Sequence, residues 1–280
     1  LYPRQSRDVT EIASGFLTPS TNNNGPAFGL FAALANGTVV ELAMQETAQV
    51  QVLHNCADPI ADSVDVYING ALALDNFAFR TATPFISLIA GYPNNVAIAP
   101  KNSSSVVDAI WDTDYTLMAD STYILTASGV VGSGFAANPD AISTGFQILV
   151  KSSAKTQATS GTSFDFYAIH GATDAPTVDV VANGAITVID NAKYADQTDY
   201  ISVPAANYTL AVKDASGSVT VAAYTADVST LGGKSAVVLA SGFLDPSGNN
   251  NGPGFGLFVA LADGGNFIEL PLITSVNEVS

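Results

Sequence analysis

The sequence predicts an all-β chain of tandem antiparallel β-sandwiches, and three observations predict it. Short segments rich in Val, Ile, Tyr, Phe and Thr recur between turn residues along the whole length. No segment sustains a 3.6-residue apolar period, so hardly any helix is expected. The third observation is repetition. Ala13 to Ala35 reads ASGFLTPSTNNNGPAFGLFAALA, and Ala240 to Ala262 reads ASGFLDPSGNNNGPGFGLFVALA. An eroded copy starts at Ala127 and runs through Asn138-Pro139-Asp140 to Gly145–Val150. The starting alanines lie about 114 and about 113 residues apart, close to one domain length. The first copy leaves no room before it for the rest of such a unit. The expected organisation is therefore a partial repeat over 1–45, a first sandwich over 46–155, a second over 160–273 and a tail over 274–280.

Composition sets the setting. Of 280 residues 48% are hydrophobic and only 12% charged, enough to fill sizeable cores. The 25 acids against 9 scattered bases leave a net charge of −16, which makes a phosphate backbone or an anionic membrane surface a poor partner. Gly, Pro, Asn, Asp or Ser breaks every apolar run well before the ~18 residues of a membrane span. The single cysteine, Cys56, cannot form an intrachain disulfide and reads as a small buried side chain. A low-Lys, Asn/Ser/Thr/Gly-rich composition points to an exported protein. Leu1-Tyr2-Pro3-Arg4 has no apolar signal region, so an export signal would lie upstream.

In chain order, Val9–Leu17, Phe28–Ala35 and Thr38–Leu42 are strand candidates around the Pro19–Pro26 loop. An isolated hairpin of this size is marginal in water and needs a partner surface. The first unit then offers Gln49–His54, Val64–Asn69, Ala71–Asp75, Phe85–Ala90, Val96–Pro100, Ser105–Trp111, Thr122–Val130 and Gly145–Lys151. Asn69-Gly70 between two alternating runs is a type I′ hairpin signal. Alternation places Val64, Val66 and Ile68 on one face, with Asp65, Tyr67 and Asn69 on the other. Ser152–Thr162 reads as a polar linker and domain boundary. The second unit repeats the pattern from Phe164–His170 to Phe267–Pro271, with Asn183-Gly184 in place of Asn69-Gly70.

Two stretches carry a resemblance. One runs from His54-Asn55-Cys56-Ala57-Asp58-Pro59 to Val64-Asp65-Val66-Tyr67-Ile68-Asn69-Gly70; the other runs from His170 through Asp174-Ala175-Pro176-Thr177-Val178-Asp179-Val180 to Asn183-Gly184. Together they resemble a family of bacterial extracellular domains of unknown function marked by H-x-x-x-D-A-P-x-V-D-V-Y-x-N-G. The second unit has Val181 at the Tyr position, and the first carries two extra turn residues between Pro59 and Ser63. The resemblance implies immunoglobulin-like sandwiches in tandem on exported proteins, and no known activity. The end, Ile273 to Ser280, resembles the junction before the sorting domain of type IX secretion in Bacteroidota.

Site candidates follow from these motifs. His54 with Asp58 and Asp65, and His170 with Asp174 and Asp179, could be metal ligands or an acid/base pair. The structural alternative, which we favour, is a strand-ending His bonded to a turn carboxylate. Asp245, Asn249, Asn250 and Asn251 offer oxygens for a weak calcium loop, against an Asx-turn array. Ser63 and Ser121 follow Asp as in Bacteroidota O-glycan sites. No G-x-S-x-G, HExxH, phosphate loop or Cys cluster nominates an enzyme. The leading expectation is thus a non-enzymatic extracellular structural or adhesive protein that self-associates, head to tail, through its N-terminal hairpin. The alternative is a module of a larger secreted protein that binds carbohydrate or another ligand, with exposed Tyr67 and Trp111 stacking on surface glycans.

Overall fold

The computed structural model describes residues 9–274, and these are all-β. They divide into two compact units at the Glu46–Thr47 boundary. In the first, β1 (Val9–Ser14), β2 (Gly29–Leu34) and β3 (Val39–Leu42) make an antiparallel sheet in the order β1-β2-β3. Apolar residues occupy both faces of this sheet, yet none of its side chains is fully buried. Between β1 and β2 the chain bends at Gly15, whose φ is +95°. A Cβ there would lie 2.1 Å from the Ala27 carbonyl oxygen, so only glycine lets the Phe16 and Ala27 backbones pair.

The second unit opens with β4 (Thr47–His54), β5 (Ser63–Ile68), β6 (Ala71–Ala78), β7 (Thr81–Ala82), β8 (Ile86–Ile89), β9 (Pro93–Pro100), β10 (Trp111–Thr116), β11 (Thr122–Ser128) and β12 (Gln147–Ser152). One sheet has the order β10-β9-β5-β6; the other is β12-β11-β4-β7, with β8 also on β4. Asn69 and Gly70 both have positive φ, 52° and 81°, as a type I′ turn requires. The strand expected over Ser105–Trp111 is not there. Asp108 instead accepts the backbone N–H groups of Ser104 and Ser105, closing a turn of 3-10 helix at Val106–Asp108, and the strand begins at Trp111.

The second sandwich repeats the wiring with β13 (Ser163–His170), β14 (Val178–Ala182), β15 (Ile186–Ala192), β16 (Ile201–Pro204), β17 (Asn207–Asp214), β18 (Thr220–Asp227), β19 (Ser235–Ser241) and β20 (Gly256–Leu261), followed by β21 (Gly265–Asn266) and β22 (Ile268–Glu269). Its sheets run β15-β14-β17-β18 and β16-β13-β19-β20-β22. In each repeat one pairing is parallel: β4 with β11, and β13 with β19. Each Asn-Gly hairpin keeps its two strands in one sheet. That wiring differs from the seven-stranded immunoglobulin arrangement, in which the second and third strands lie in opposite sheets.

Successive side chains of a strand point to opposite faces, and β19 and β20 are apolar on both. Ala236, Leu257 and Val259 join Val180 and Val212 in the core between the two sheets of the second repeat. The alternate residues Val237, Leu239, Phe258 and Ala260 pack against Leu53, Ile124 and Leu149 of the first repeat. The two sandwiches therefore press their β4/β11 and β13/β19 sheets face to face, making four layers. The contact has an approximate two-fold logic. The Arg80 guanidinium lies 3.9 Å over the Phe258 ring and donates to the Ser241 and Gly254 carbonyls, while Tyr194 reaches back to Ser128 at 3.2 Å. β21 adds to β7 across the same junction.

The segment expected as a polar linker is a clasp. The Asp165 carboxylate, fully buried, takes Lys155 Nζ at 2.6 Å, Thr159 N and Oγ1, and Ser202 Oγ, while Lys155 N donates to Tyr200 Oη. Burial alone would raise the pKa of Asp165, but these donors together hold it well below the usual carboxylate range.

Candidate functional site

The His–Asp motif is brought together in both repeats, though not as a ligand set. His54 ends β4, is buried, and bonds through Nε2 to the Ala61 carbonyl at 2.8 Å, while its Nδ1 accepts from Cys56 N. His170 likewise meets the Pro176 carbonyl at 3.1 Å. The expected partner, a turn carboxylate, is thus replaced by a backbone carbonyl in each turn. A carbonyl only accepts, so both Nε2 atoms carry the proton. Burial pulls the His54 imidazole down to about 4 and lowers that of His170 too, so both rings are neutral at pH 7. Burial also pushes the Cys56 thiol up to about 12, which makes it inert.

The carboxylates bind backbone amides. Asp58 accepts from Ile60 N with one oxygen and from Val131 N and Gly132 N with the other. Asp174 accepts from Leu244 N and Asp245 N, which stand at the equivalent place in the second repeat. Each Asp therefore ties the turn after the first strand of its repeat to the loop after β11 or β19. Asp65 takes Asn76 N, Ser103 N and Ser103 Oγ, and Asp179 takes Asn191 N, pinning the bulge where β6 and β15 bend. Among the described residues no three His, Cys, Asp or Glu side chains converge as metal ligands.

The loop read as a weak calcium site is a seam between the repeats. Asn249, completely buried, donates to Asp174 Oδ2 and to the Asp245 carbonyl, and accepts from Ala136 N of the first repeat. Asn250 donates to the Ser133 carbonyl. Asp245 itself accepts from Ser247 N and Oγ. Asp245 Oδ1 and Asn249 Oδ1 are thus engaged by N–H and O–H donors, and positive φ at Asn250 and Asn251 shapes the turn. Ser63 opens β5 and Ser121 sits in the turn before β11, both half-buried. The resemblance at Ile273 to Ser280 lies largely outside the described residues.

An open cleft lies in the first sandwich. It has a volume of about 460 Å³ and is walled by His54, Cys56, Trp111, Phe146 and residues 130–135. Trp111 is half-buried, edge-on to Phe146 at 5.4 Å. Tyr67, expected to be exposed beside it, is only 4% exposed. The segment 101–109 folds over it: Ser103 bonds its hydroxyl at 2.8 Å, and Val106 and Ala109 cover the ring. Tyr67 is therefore no stacking platform.

This geometry defines a class: tandem β-sandwich modules whose His and Asp side chains clip turns. A family model described as a domain of unknown function, DUF4397, matches residues 48–145 and 165–251, more than half of the chain and one copy per sandwich. The chain belongs to that family. Among solved structures, one described as alpha-glucan binding by a streptococcal virulence factor is similar at 10% identity, covering 69% of this chain and 92% of its own. Its TM-score of 0.19 is too low to inform fold or function. No curated protein matches the chain.

Proposed function

We propose that the chain is a non-catalytic, exported surface protein of structural or adhesive role, and that its N-terminal sheet completes a sandwich supplied by another copy. One observation carries the reading. β2 and the loop before it repeat the sequence of β20 and its loop, yet Leu30 is 49% exposed and its counterpart Leu257 5%, and Val9, Val39 and Leu42 on the strands either side of β2 are 43–59% exposed as well. The partner that covers β19 and β20 from within is the set of strands β13 to β18, so the same set in another copy fits the N-terminal sheet. An uncovered apolar sheet with free edges is a template for such an exchange. Copy-to-copy donation does not close on itself and builds a chain of molecules.

Deleting 1–46 tests this. Multi-angle light scattering should show the full chain growing in mass with concentration and the truncated chain staying monomeric, with melting of the sandwiches unchanged. A monomeric full chain at every concentration, or assembly that survives the deletion, refutes the exchange.

A second reading, a ligand-binding module, draws on the cleft beside Trp111. Trp111 is the sole tryptophan of the chain, so its emission reports occupancy directly. A glycan panel that leaves that emission unmoved removes carbohydrate as the ligand of this cleft.

A further inference from the structure

The two sandwiches fill their interiors differently, and the difference leaves a second, unrelated site. In the first, Trp111 pairs with Ile98, which pairs with Val66. In the second, the same row reads Val180, Val212 and Ala222. Likewise Phe77 stands opposite Val64, whereas Ala192 stands opposite Val178. Two core aromatics of the first repeat are thus alanines in the second. Removing large side chains without collapse leaves a void, and a cavity of about 280 Å³ lies between the sheets of the second sandwich, with both Ala192 and Ala222 in its wall.

The walls are almost wholly apolar. A dry apolar void far smaller than this one already holds a benzene-sized guest, and this volume approaches the lower end of small-molecule sites. Its one imidazole is that of His170. The Phe77 ring sits 5.9 Å from the His54 ring, but Ala192 leaves the matching side of His170 open to the cavity. The Nε2 proton of His170 is spent on the Pro176 carbonyl, and its Nδ1 is buried out of reach of the cavity, so the ring adds no polar anchor there. Along the edge strands β15 and β16, the wall residues Val188, Ile189 and Val203 are only half-buried, which gives a way in.

The geometry points to a binding site in the second sandwich for a medium-length aliphatic chain, held between the sheets by apolar contact alone. Isothermal titration of the full chain with 1-decanol should show one site per chain, with 1,10-decanediol, which would bury a hydroxyl without a partner, binding at least tenfold more weakly. Ala192→Phe and Ala222→Trp restore the side chains of the first repeat at matched positions. Each should weaken decanol binding at least tenfold and raise Tm, while Tyr67→Phe in the first sandwich leaves binding unchanged. Absence of decanol binding, equal binding of the diol, or unaltered binding in both filled variants overturns the proposal. Unfolding of both filled variants does so too, because it means that the space for those rings does not exist.

Discussion

The stretch from Ala13 through β2 and that from Ala240 through β20 carry nearly the same sequence and the same loop, yet they live in opposite environments. Leu30 is 49% exposed and its counterpart Leu257 5%. Both loops bend at a glycine with positive φ, and both pair the phenylalanine that follows with the residue two places after the NNNG run, Phe16 with Ala27 and Phe243 with Gly254. Local structure is therefore set by local sequence, whereas burial is set by what the rest of the chain provides. The comparison separates the two contributions at matched residues.

The sharpest test removes a ring from each copy. Phe258 is buried between the repeats under Arg80, so Phe258→Ala should cost about 3–5 kcal/mol in urea unfolding. Phe31→Ala, at the matched place, should change the stability of the sandwiches by less than about 0.5 kcal/mol. Equal costs would mean that the N-terminal sheet is covered after all.

Acid should act on only one side of the comparison. Both histidines lie in the sandwiches and none in the N-terminal sheet. The folded pKa of His54, about 4, lies below the value of about 6.5 for a free imidazole. The unfolded chain thus binds the extra proton between those values. Its stabilising effect is complete above pH 6.5 and is lost as pH falls toward 4, by about 3 kcal/mol. Urea midpoints of the sandwiches should follow that window, and His54→Gln should reduce the loss, the buried His170 keeping part of it. A midpoint constant from pH 7 to 4 would show that the ring is not buried neutral.

The smallest effect concerns the matched asparagines. Asn249 loses a charge-assisted bond to Asp174 on replacement by alanine, about 1.5–3 kcal/mol, while Asn22 bonds only the exposed Thr18 carbonyl and Thr21 hydroxyl. Asn22→Ala should be silent in the same melt. A silent Asn249→Ala would argue that the seam between the repeats does not stabilise them.

Features with a local cause were legible in the sequence. The Asn69-Gly70 and Asn183-Gly184 turns depend on two residues each, and the threefold hairpin is visible as repetition. The alternation that sets Asp65 and Tyr67 opposite Val64 and Val66 was legible too, but its consequence was not. That face is covered by 101–109, part of which alternation alone draws as the strand Ser105–Trp111 and which Ser104 and Ser105, bonded to Asp108, turn into a lid. The role of His54 was half legible: a strand-ending His invites a turn carboxylate, but the fold sends Asp58 to the amides of Val131 and Gly132, leaving a carbonyl for the ring. The face-to-face contact of the repeats and the parallel pairs join residues far apart in sequence, and no window of neighbours encodes them. The cavity was missed for a related reason. Ala192 and Ala222 mean nothing until strand registers match them to Phe77 and Trp111.

The parallel pairing of β4 with β11 has a consequence in time. Gln49 meets Thr122, and in the second sandwich Asp165 meets Ser235, so each central sheet closes only after nearly its whole repeat has been synthesised. Loops of that length must be closed before any of their contacts can form, which slows folding. During synthesis β4 and β13 wait with open edges, while the Asn-Gly hairpins beside them form within microseconds. A chain that keeps its centre open longest is vulnerable there to a wrong strand, and the repeat holds several near-copies of the right one.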